Sequence, residues 1–302
     1  MGKNFAAIDC GTNTTRLLLA RKEGKLTELD RRLVITRLGQ GTDYTGELAP
    51  EALQRTFAAL DDYAAQIEEA GGAQIRVVAT SAVRDAGNSR EFFDGVRQRL
   101  GVDPDVITGE EEARLSYRGA VQGLPKLAGP VLVMDIGGGS TELTIGNGDQ
   151  IEKPVSLDIG SVRVRERFLQ GDPPTKAERA SARAYIDALI DGSGLDFSDV
   201  YSFVGVGGTV TSLSAINQDL AEYDREQVHD SVISTDELRT LNSRLLHTPI
   251  EQIAKIPTME EGRADVIAAG CLIAREVARF VGLPLRVSEE DLLDAIIADM
   301  AK

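Results

Sequence analysis

One short segment occurs twice in this 302-residue chain, and the repeat sets the architecture. Residues 9–17 read DCGTNTTRL and residues 135–143 read DIGGGSTEL. At a constant offset of 126 (135 − 9) they share Asp, Gly, Thr and Leu, with Thr14 opposite Ser140. Apolar runs flank both copies, FAAI and LLLA around the first and VLVM and LTIG around the second. Each copy therefore predicts a strand, a tight Gly/Thr/Ser-rich turn and a second strand, and the matched pair predicts a duplicated domain. Such a turn suits phosphate: glycine lets backbone amides approach an anion, hydroxyls add donors, and an Asp ending the first strand can hold a divalent cation.

The candidate phosphate-binding residues are Gly11, Thr12, Asn13, Thr14, Thr15 and Arg16 in the first copy, and Gly137, Gly138, Gly139, Ser140 and Thr141 in the second. The copies differ where Arg16 aligns with Glu142, a cation for phosphate oxygens against a carboxylate for metal or water. Asp135 and Glu142 are the expected Mg2+ ligands, directly or through water, with Asp9 as a further candidate. In TSAVRDA (80–86), Arg84 can clamp phosphate oxygens with its planar fork, or pair with Asp85 or another carboxylate. GVGGTVTSL (205–213) follows a predicted strand and opens a helix, so Gly207, Gly208 and Thr209 either bind phosphate or permit close packing. Val210 stands where a GxGxxG dinucleotide fingerprint needs glycine, and no GxxxxGKS/T loop occurs, which excludes a Walker-type NTPase.

Charge narrows the partners. With 33 Lys plus Arg against 48 Asp plus Glu the net charge is −15, which argues against broad contact with nucleic acid. A polyanionic substrate must then be drawn in by a local basic site, with Arg16, Arg37 and Arg84 as candidates, and by bound metal. No apolar stretch reaches membrane-spanning length, and MGKNFAAIDC runs into the first strand without a signal-peptide pattern, so no membrane association and a cytoplasmic location are expected. Cys10 and Cys271 are read as buried small hydrophobes, and His229 and His247 as surface or capping residues.

Strands are expected at 4–10, 15–21, 25–36, 74–80, 104–108, 130–136, 141–147, 151–158, 200–206 and 284–288. Leu53, Phe57, Leu60, Ala64 and Ile67 fall at helical spacing between Pro50 and Gly71, and NSREFFDGVRQRLG predicts another helix with Asn88 or Ser89 as its cap. Further helices are expected at 110–122, 161–170, 175–191, 208–217, 235–247 and 262–281. This alternation means an α/β protein, with PKLAGP (Pro125 to Pro130) as the candidate domain boundary.

AIDCGTNTTRLLL, TSAVRDA, GEEEARLSYRGA (109–120), DIGGGSTEL, GVGGTVTSL and GRADVIAAG (262–270), taken in order, resemble the exopolyphosphatase / guanosine pentaphosphate phosphatase family. That family belongs to the actin, sugar kinase and chaperone ATPase superfamily. The resemblance implies two ribonuclease H-like domains around an interdomain active-site cleft, residues 1–125 with a C-terminal helix at about 288–302, and residues 126–287. It also implies a homodimer. In GEEEAR three carboxylates open a helix, where the macrodipole accommodates them in any case; by resemblance the general base is Glu112, with Glu111 as the fallback. The implied activity is hydrolysis of a terminal phosphoanhydride of inorganic polyphosphate, with guanosine pentaphosphate as the alternative substrate. A small-molecule kinase and a catalytically silent phosphate or alarmone sensor are the other classes the superfamily allows. The chain lacks the C-terminal helical domains of longer members and their Gly-Leu-Arg-Glu-Gly run, with Leu293 and Asp294 at the basic position; short chains are therefore the expected substrate.

Overall fold

The computed structural model describes residues 2–125 and 127–302; Met1 and Lys126, the latter inside the Pro125–Pro130 link, lie outside the described residues. The chain separates into two compact units, Met1–Leu115 with Leu292–Lys302, and Ser116–Asp291.

The first unit contains β1 (Lys3–Cys10), β2 (Thr14–Glu23), β3 (Lys25–Ile35), α1 (Thr42–Thr45), α2 (Pro50–Glu69), β4 (Gln74–Ala79), α3 (Ser81–Asp85), α4 (Ser89–Leu100), β5 (Asp105–Val106) and the start of α5 (Gly109–Gly123). Its sheet has the order β3-β2-β1-β4-β5. The first three strands run antiparallel to one another, whereas β4 and β5 run parallel to β1. Strand β1 is apolar on both faces because both are covered. Ala6, Ile8 and Cys10 pack with Leu53 and Leu60 of α2 and Phe92 and Val96 of α4. Phe5 and Ala7 pack on the opposite face against Leu292, Leu293, Ile296 and Ile297.

The second unit contains β6 (Val131–Ile136), β7 (Thr141–Asn147), β8 (Gln150–Leu157), α6 (Ser161–Phe168), α7 (Lys176–Gly192), β9 (Ser202–Val206), α8 (Gly207–Asn217), α9 (Arg225–Val228), β10 (Val232–Ile233), α10 (Thr235–His247), α11 (Ile250–Ile253), α12 (Ile267–Val281) and β11 (Leu285–Val287). The last helix, α13 (Leu292–Met300), belongs to the first unit. Read from β8, the second sheet runs β8-β7-β6-β9-β11-β10, which repeats the order and strand directions of the first and adds one antiparallel edge strand. This is the ribonuclease H-like arrangement, present twice in an α/β chain. The repeat is exact at the level of register: Asp9 pairs with Arg16 across β1 and β2, and Asp135 pairs with Glu142 across β6 and β7.

The units part at Leu115/Ser116, inside α5, and not at the proline-flanked link. The reason is packing: Tyr117, Ala120 and Leu124 share a buried cluster with Val131, Val133, Val204 and Val206. The helix expected from residue 262 starts at Ile267, because Gly262 has φ 85° and the amides of Arg263 and Val266 close short turns onto Glu260 and Arg263. Asn88 precedes α4 without capping it through its side chain; its amide instead pins the Leu48 backbone, accepting from the N–H at 2.7 Å and donating to the carbonyl at 3.0 Å. Among the described residues no helix is long and apolar enough to cross a membrane.

Candidate active site

In the first unit the turn after β1 is closed by the Gly11 amide donating to Thr14 O at 2.9 Å. The carbonyls of Thr12 and Asn13 accept from the Gly39 and Arg37 amides, both at 2.9 Å, so the segment after β3 braces the turn from behind. Arg37 adopts φ 51°, a left-handed backbone that a non-glycine residue takes only when its surroundings impose it. The amides of Thr12 and Asn13 donate to no other described residue. Thr15 is turned into the sheet, with Oγ1 2.9 Å from Thr36 Oγ1 and its carbonyl accepting from Tyr63 OH at 2.8 Å. Arg16 lies on Asp9, Nη2 to Oδ2 2.7 Å and Nε to the same oxygen 3.1 Å. The cation expected to face phosphate and the carboxylate expected to face metal are therefore paired.

Thr108 Oγ1 accepts from the Glu111 amide at the start of α5, and the three carboxylates that follow separate by exposure. Glu110 and Glu111 point outward, the latter 4.0 Å from Arg76, whereas Glu112 is 8% exposed. Arg84, carried by α3, places Nη1 3.6 Å from Glu112 Oε2 and donates to the Ile107 carbonyl at 3.0 Å. Arg84 thus pairs with a carboxylate, and that carboxylate is the candidate base.

In the second unit the Gly137 amide donates to Ser140 O at 3.0 Å, the same closure 126 positions on. Carbonyls of Gly137, Gly138 and Gly139 accept from the amides of Ser161, of Val162 and Arg163, and of Gly160, at 2.9–3.1 Å. With those carbonyls turned toward α6, the amides of Gly138, Gly139 and Ser140 donate to no other described residue. Thr141 repeats the inward turn of Thr15, donating from Oγ1 to Ile159 O at 2.5 Å. A Cβ at Gly160 would lie 2.1 Å from the Gly138 carbonyl oxygen. Gly160→Ala is therefore expected to cost about 1–3 kcal/mol, or several degrees of Tm, because the obstacle is backbone that cannot swing aside; a melting curve matching wild type would contradict this packing.

Asp135 and Glu142 are 9% and 2% exposed and stand opposite each other across β6 and β7. Ser116 Oγ donates to Asp135 Oδ2 at 2.6 Å, and Ser156 Oγ donates to Glu142 Oε1 at 2.7 Å. Like charges directly opposite on a sheet repel. The first repeat solves this with Arg16 opposite Asp9; the second presents two buried carboxylates and so fits a cation. Among the described residues no group of three or more His, Cys, Asp and Glu forms a metal cage. A two-carboxylate donor set suits Mg2+, which keeps waters and binds through one or two carboxylates plus phosphate oxygens.

At the start of α8, Gly207 adopts φ 83° and a Cβ there would meet Asp135 Oδ1 at 2.7 Å. The Arg263 guanidinium occupies the space beside Gly208, where a Cβ would approach it to 2.6 Å, and Thr209 Cγ2 fills the space beside Gly270. Each of these residues thus has a packing reason for its size. Arg263 is 4% exposed and held by Glu260, Nε to Oε2 2.9 Å. Sequence reading gave Arg263 no role beyond its place in the GRADVIAAG motif, and its burial is a tertiary fact. Both thiols are buried, Cys10 pushed well up by burial and then by Asp9, Cys271 up to about 12 by burial, so neither serves as a nucleophile. His229 is half-buried, accepting at Nδ1 from the Glu289 amide with Nε2 3.1 Å from Gly123 O, and His247 lies at the end of α10.

Comparison with known proteins identifies the family. Residues 17–289 match the Ppx/GppA phosphatase family. The chain is 41% identical to exopolyphosphatase 2 of Mycobacterium tuberculosis, over 98% of each chain. Crystal structures of an exopolyphosphatase-like protein (37% identity, TM-score 0.95) and of an Aquifex aeolicus Ppx/GppA family member (32% identity, TM-score 0.83) each cover 99% of this chain, and each is itself covered to 98%. Duplicated sheets, duplicated turns and near-complete alignment converge: the chain belongs to the Ppx/GppA phosphatase family.

Proposed function

We propose that the protein is an exopolyphosphatase that releases terminal orthophosphate from inorganic polyphosphate. The observation that carries this reading is buried Glu112 beside Arg84, a carboxylate near a cation at the start of a helix whose neighbouring Glu110 and Glu111 are exposed. The exopolyphosphatase relative supports the substrate class.

Hydrolysis of a phosphoanhydride asks for an oriented water and for neutralised phosphoryl oxygens. Glu112 takes a proton from the water as its oxygen attacks the terminal phosphorus. The bond from that phosphorus to the bridging oxygen breaks, and the bridging oxygen leaves on the shortened chain. Arg84 holds Glu112 in place and offers its remaining donors to phosphoryl oxygens. The unengaged amides of Thr12 and Asn13 in the first turn are donors for phosphoryl oxygens, and those of Gly138, Gly139 and Ser140 in the second unit are anion donors of the same kind. Mg2+ bound through Asp135 and Glu142 would neutralise phosphoryl charge. No covalent intermediate is required. Release of orthophosphate in the absence of an acceptor hydroxyl separates this reading from a kinase; turnover itself separates it from a sensor. Guanosine pentaphosphate presents a similar terminal anhydride and stands as the second substrate. The homodimer and cytoplasmic location implied by the resemblance belong to this proposed reading.

Chain length follows from charge. Grip on a long polyanion grows with successive cations, each contact releasing counterions. At a net charge of −15, with Arg16 on Asp9 and Arg84 on Glu112, this chain engages only the few phosphates nearest the terminus. KM per chain end is therefore expected to stop improving beyond a short oligomer, with distributive hydrolysis. A gel of a half-digested long chain should show the whole population shifting downward; full-length chain beside orthophosphate with nothing between would overturn it.

A further inference from the structure

The buried polar atoms of the first unit without a hydrogen-bond partner among the described residues include Thr12 Oγ1, Asn13 Oδ1 and Ser81 Oγ, on residues 8%, 7% and 2% exposed. Two of these belong to the first turn. Ser81 does not, and it was absent from the residues that sequence reading singled out for the site.

The fold brings Ser81 to that turn. Parallel pairing of β1 with β4 sets Cys10 beside Ala79, and the Thr80 amide donates to Cys10 O at 3.4 Å, so the chain leaving β4 passes alongside the chain entering the turn. Gly39 touches both: a Cβ there would meet Thr12 Cγ2 at 2.5 Å and Ala82 Cβ at 3.0 Å. Three residues beyond Ser81 on α3, and hence on a neighbouring helical position, stands Arg84 with Nη1 3.6 Å from Glu112 Oε2. Ser81 therefore sits two residues past the end of β4, which pairs beside the strand entering the turn, on the helix that carries Arg84.

Ser81 opens α3, so its hydroxyl has no carbonyl of a preceding helical turn to bond, and a buried hydroxyl without a partner costs free energy that alanine would not. A donor kept at that cost beside a turn with unengaged amides is one that a bound anion satisfies.

We propose that Ser81 is a substrate-contacting residue whose Oγ donates to the terminal phosphoryl group held by the first turn, alongside Thr12. The proposal rests on the reading of that turn as a phosphate cradle and adds a ligand to it.

The test is Ser81→Ala with Ser81→Thr as the hydroxyl-retaining control, read in two ways. The first is thermal melting of the full chain with and without Mg2+ and inorganic tripolyphosphate, which needs no turnover. Ser81→Ala should melt at or above the wild-type temperature when free, since no bond is lost, while the shift produced by tripolyphosphate shrinks. The second is orthophosphate release, where kcat/KM should fall on the order of tenfold or more, as expected for a hydrogen bond to a charged group, with Ser81→Thr recovering most of it. A clear fall in the free melting temperature of Ser81→Ala would assign the residue a structural role and overturn the proposal. So would an undiminished tripolyphosphate shift. If wild-type protein shows the shift but releases no orthophosphate, the hydrolase reading fails while the melting comparison still decides Ser81. If wild type shows no shift at all, the cradle reading fails and the proposal with it.

Discussion

Glu112→Gln is expected to lose about a hundredfold or more in turnover while substrate affinity persists, because a general base contributes about that much and glutamine keeps the shape without accepting a proton. The expectation comes from position. Of the three carboxylates that open α5, Glu112 alone is buried and faces Arg84, and its amide bonds back to Thr108 O at 3.0 Å, so the first helical turn fixes where it points. Glu111, with a half-exposed side chain 4.0 Å from Arg76, serves as the control: Glu111→Gln should stay within about twofold of wild type, as expected of an exposed ion pair. Initial rates of orthophosphate release, with affinity measured by equilibrium titration, separate the effects on kcat and on binding. Wild-type turnover in Glu112→Gln together with loss in Glu111→Gln would exchange the two assignments.

Removing the cation should act more strongly still. Asp135 and Glu142 place two buried carboxylates opposite each other and the substrate is itself strongly anionic, so a divalent ion is what lets the second turn hold an anion. Excess chelator is expected to abolish orthophosphate release, and added Mg2+ to restore it. Asp135→Asn should lose on the order of a thousandfold, the several kcal/mol that metal-borne charge stabilisation contributes. Ser116→Ala removes only the hydroxyl that steadies Asp135 and should cost far less, about tenfold, the size of one hydrogen bond to a charged group. Full activity in excess chelator would remove metal from the mechanism and leave arginine side chains to neutralise charge.

The sequence revealed the fold wherever local pattern and global architecture agree. The 126-residue offset appears as two sheets of the same strand order with the same cross-strand pairs, because alternation and turn chemistry are local properties that the tertiary fold preserves. Some elements of two to five residues left no period to detect: α3 and β10 were not foreseen as elements, yet α3 carries Ser81 and Arg84. The division inside α5 was hidden for a different reason. Prolines mark chain punctuation, whereas the boundary is set by which side chains Tyr117, Ala120 and Leu124 bury against.

Among site residues, composition named the ingredients but not their partners. Thr15 and Thr141 read as turn hydroxyls, and both face inward because the strand register decides which side a residue takes. The substitution of Arg16 for Glu142 was visible as a difference, but its meaning required register: Arg16 neutralises Asp9 in one repeat, and its absence leaves a carboxylate pair in the other. Ser81 and Arg263 were invisible as ligands or cations of a site, since an orphan hydroxyl and a buried guanidinium are defined by what surrounds them.

The most direct measurement is orthophosphate release from polyphosphates of defined length, guanosine pentaphosphate and ATP, each with and without Mg2+. Release from short polyphosphate that requires Mg2+, needs no acceptor and exceeds release from ATP is the predicted result. Binding without release from any of the three, or phosphate transfer to an acceptor instead of water, would contradict it.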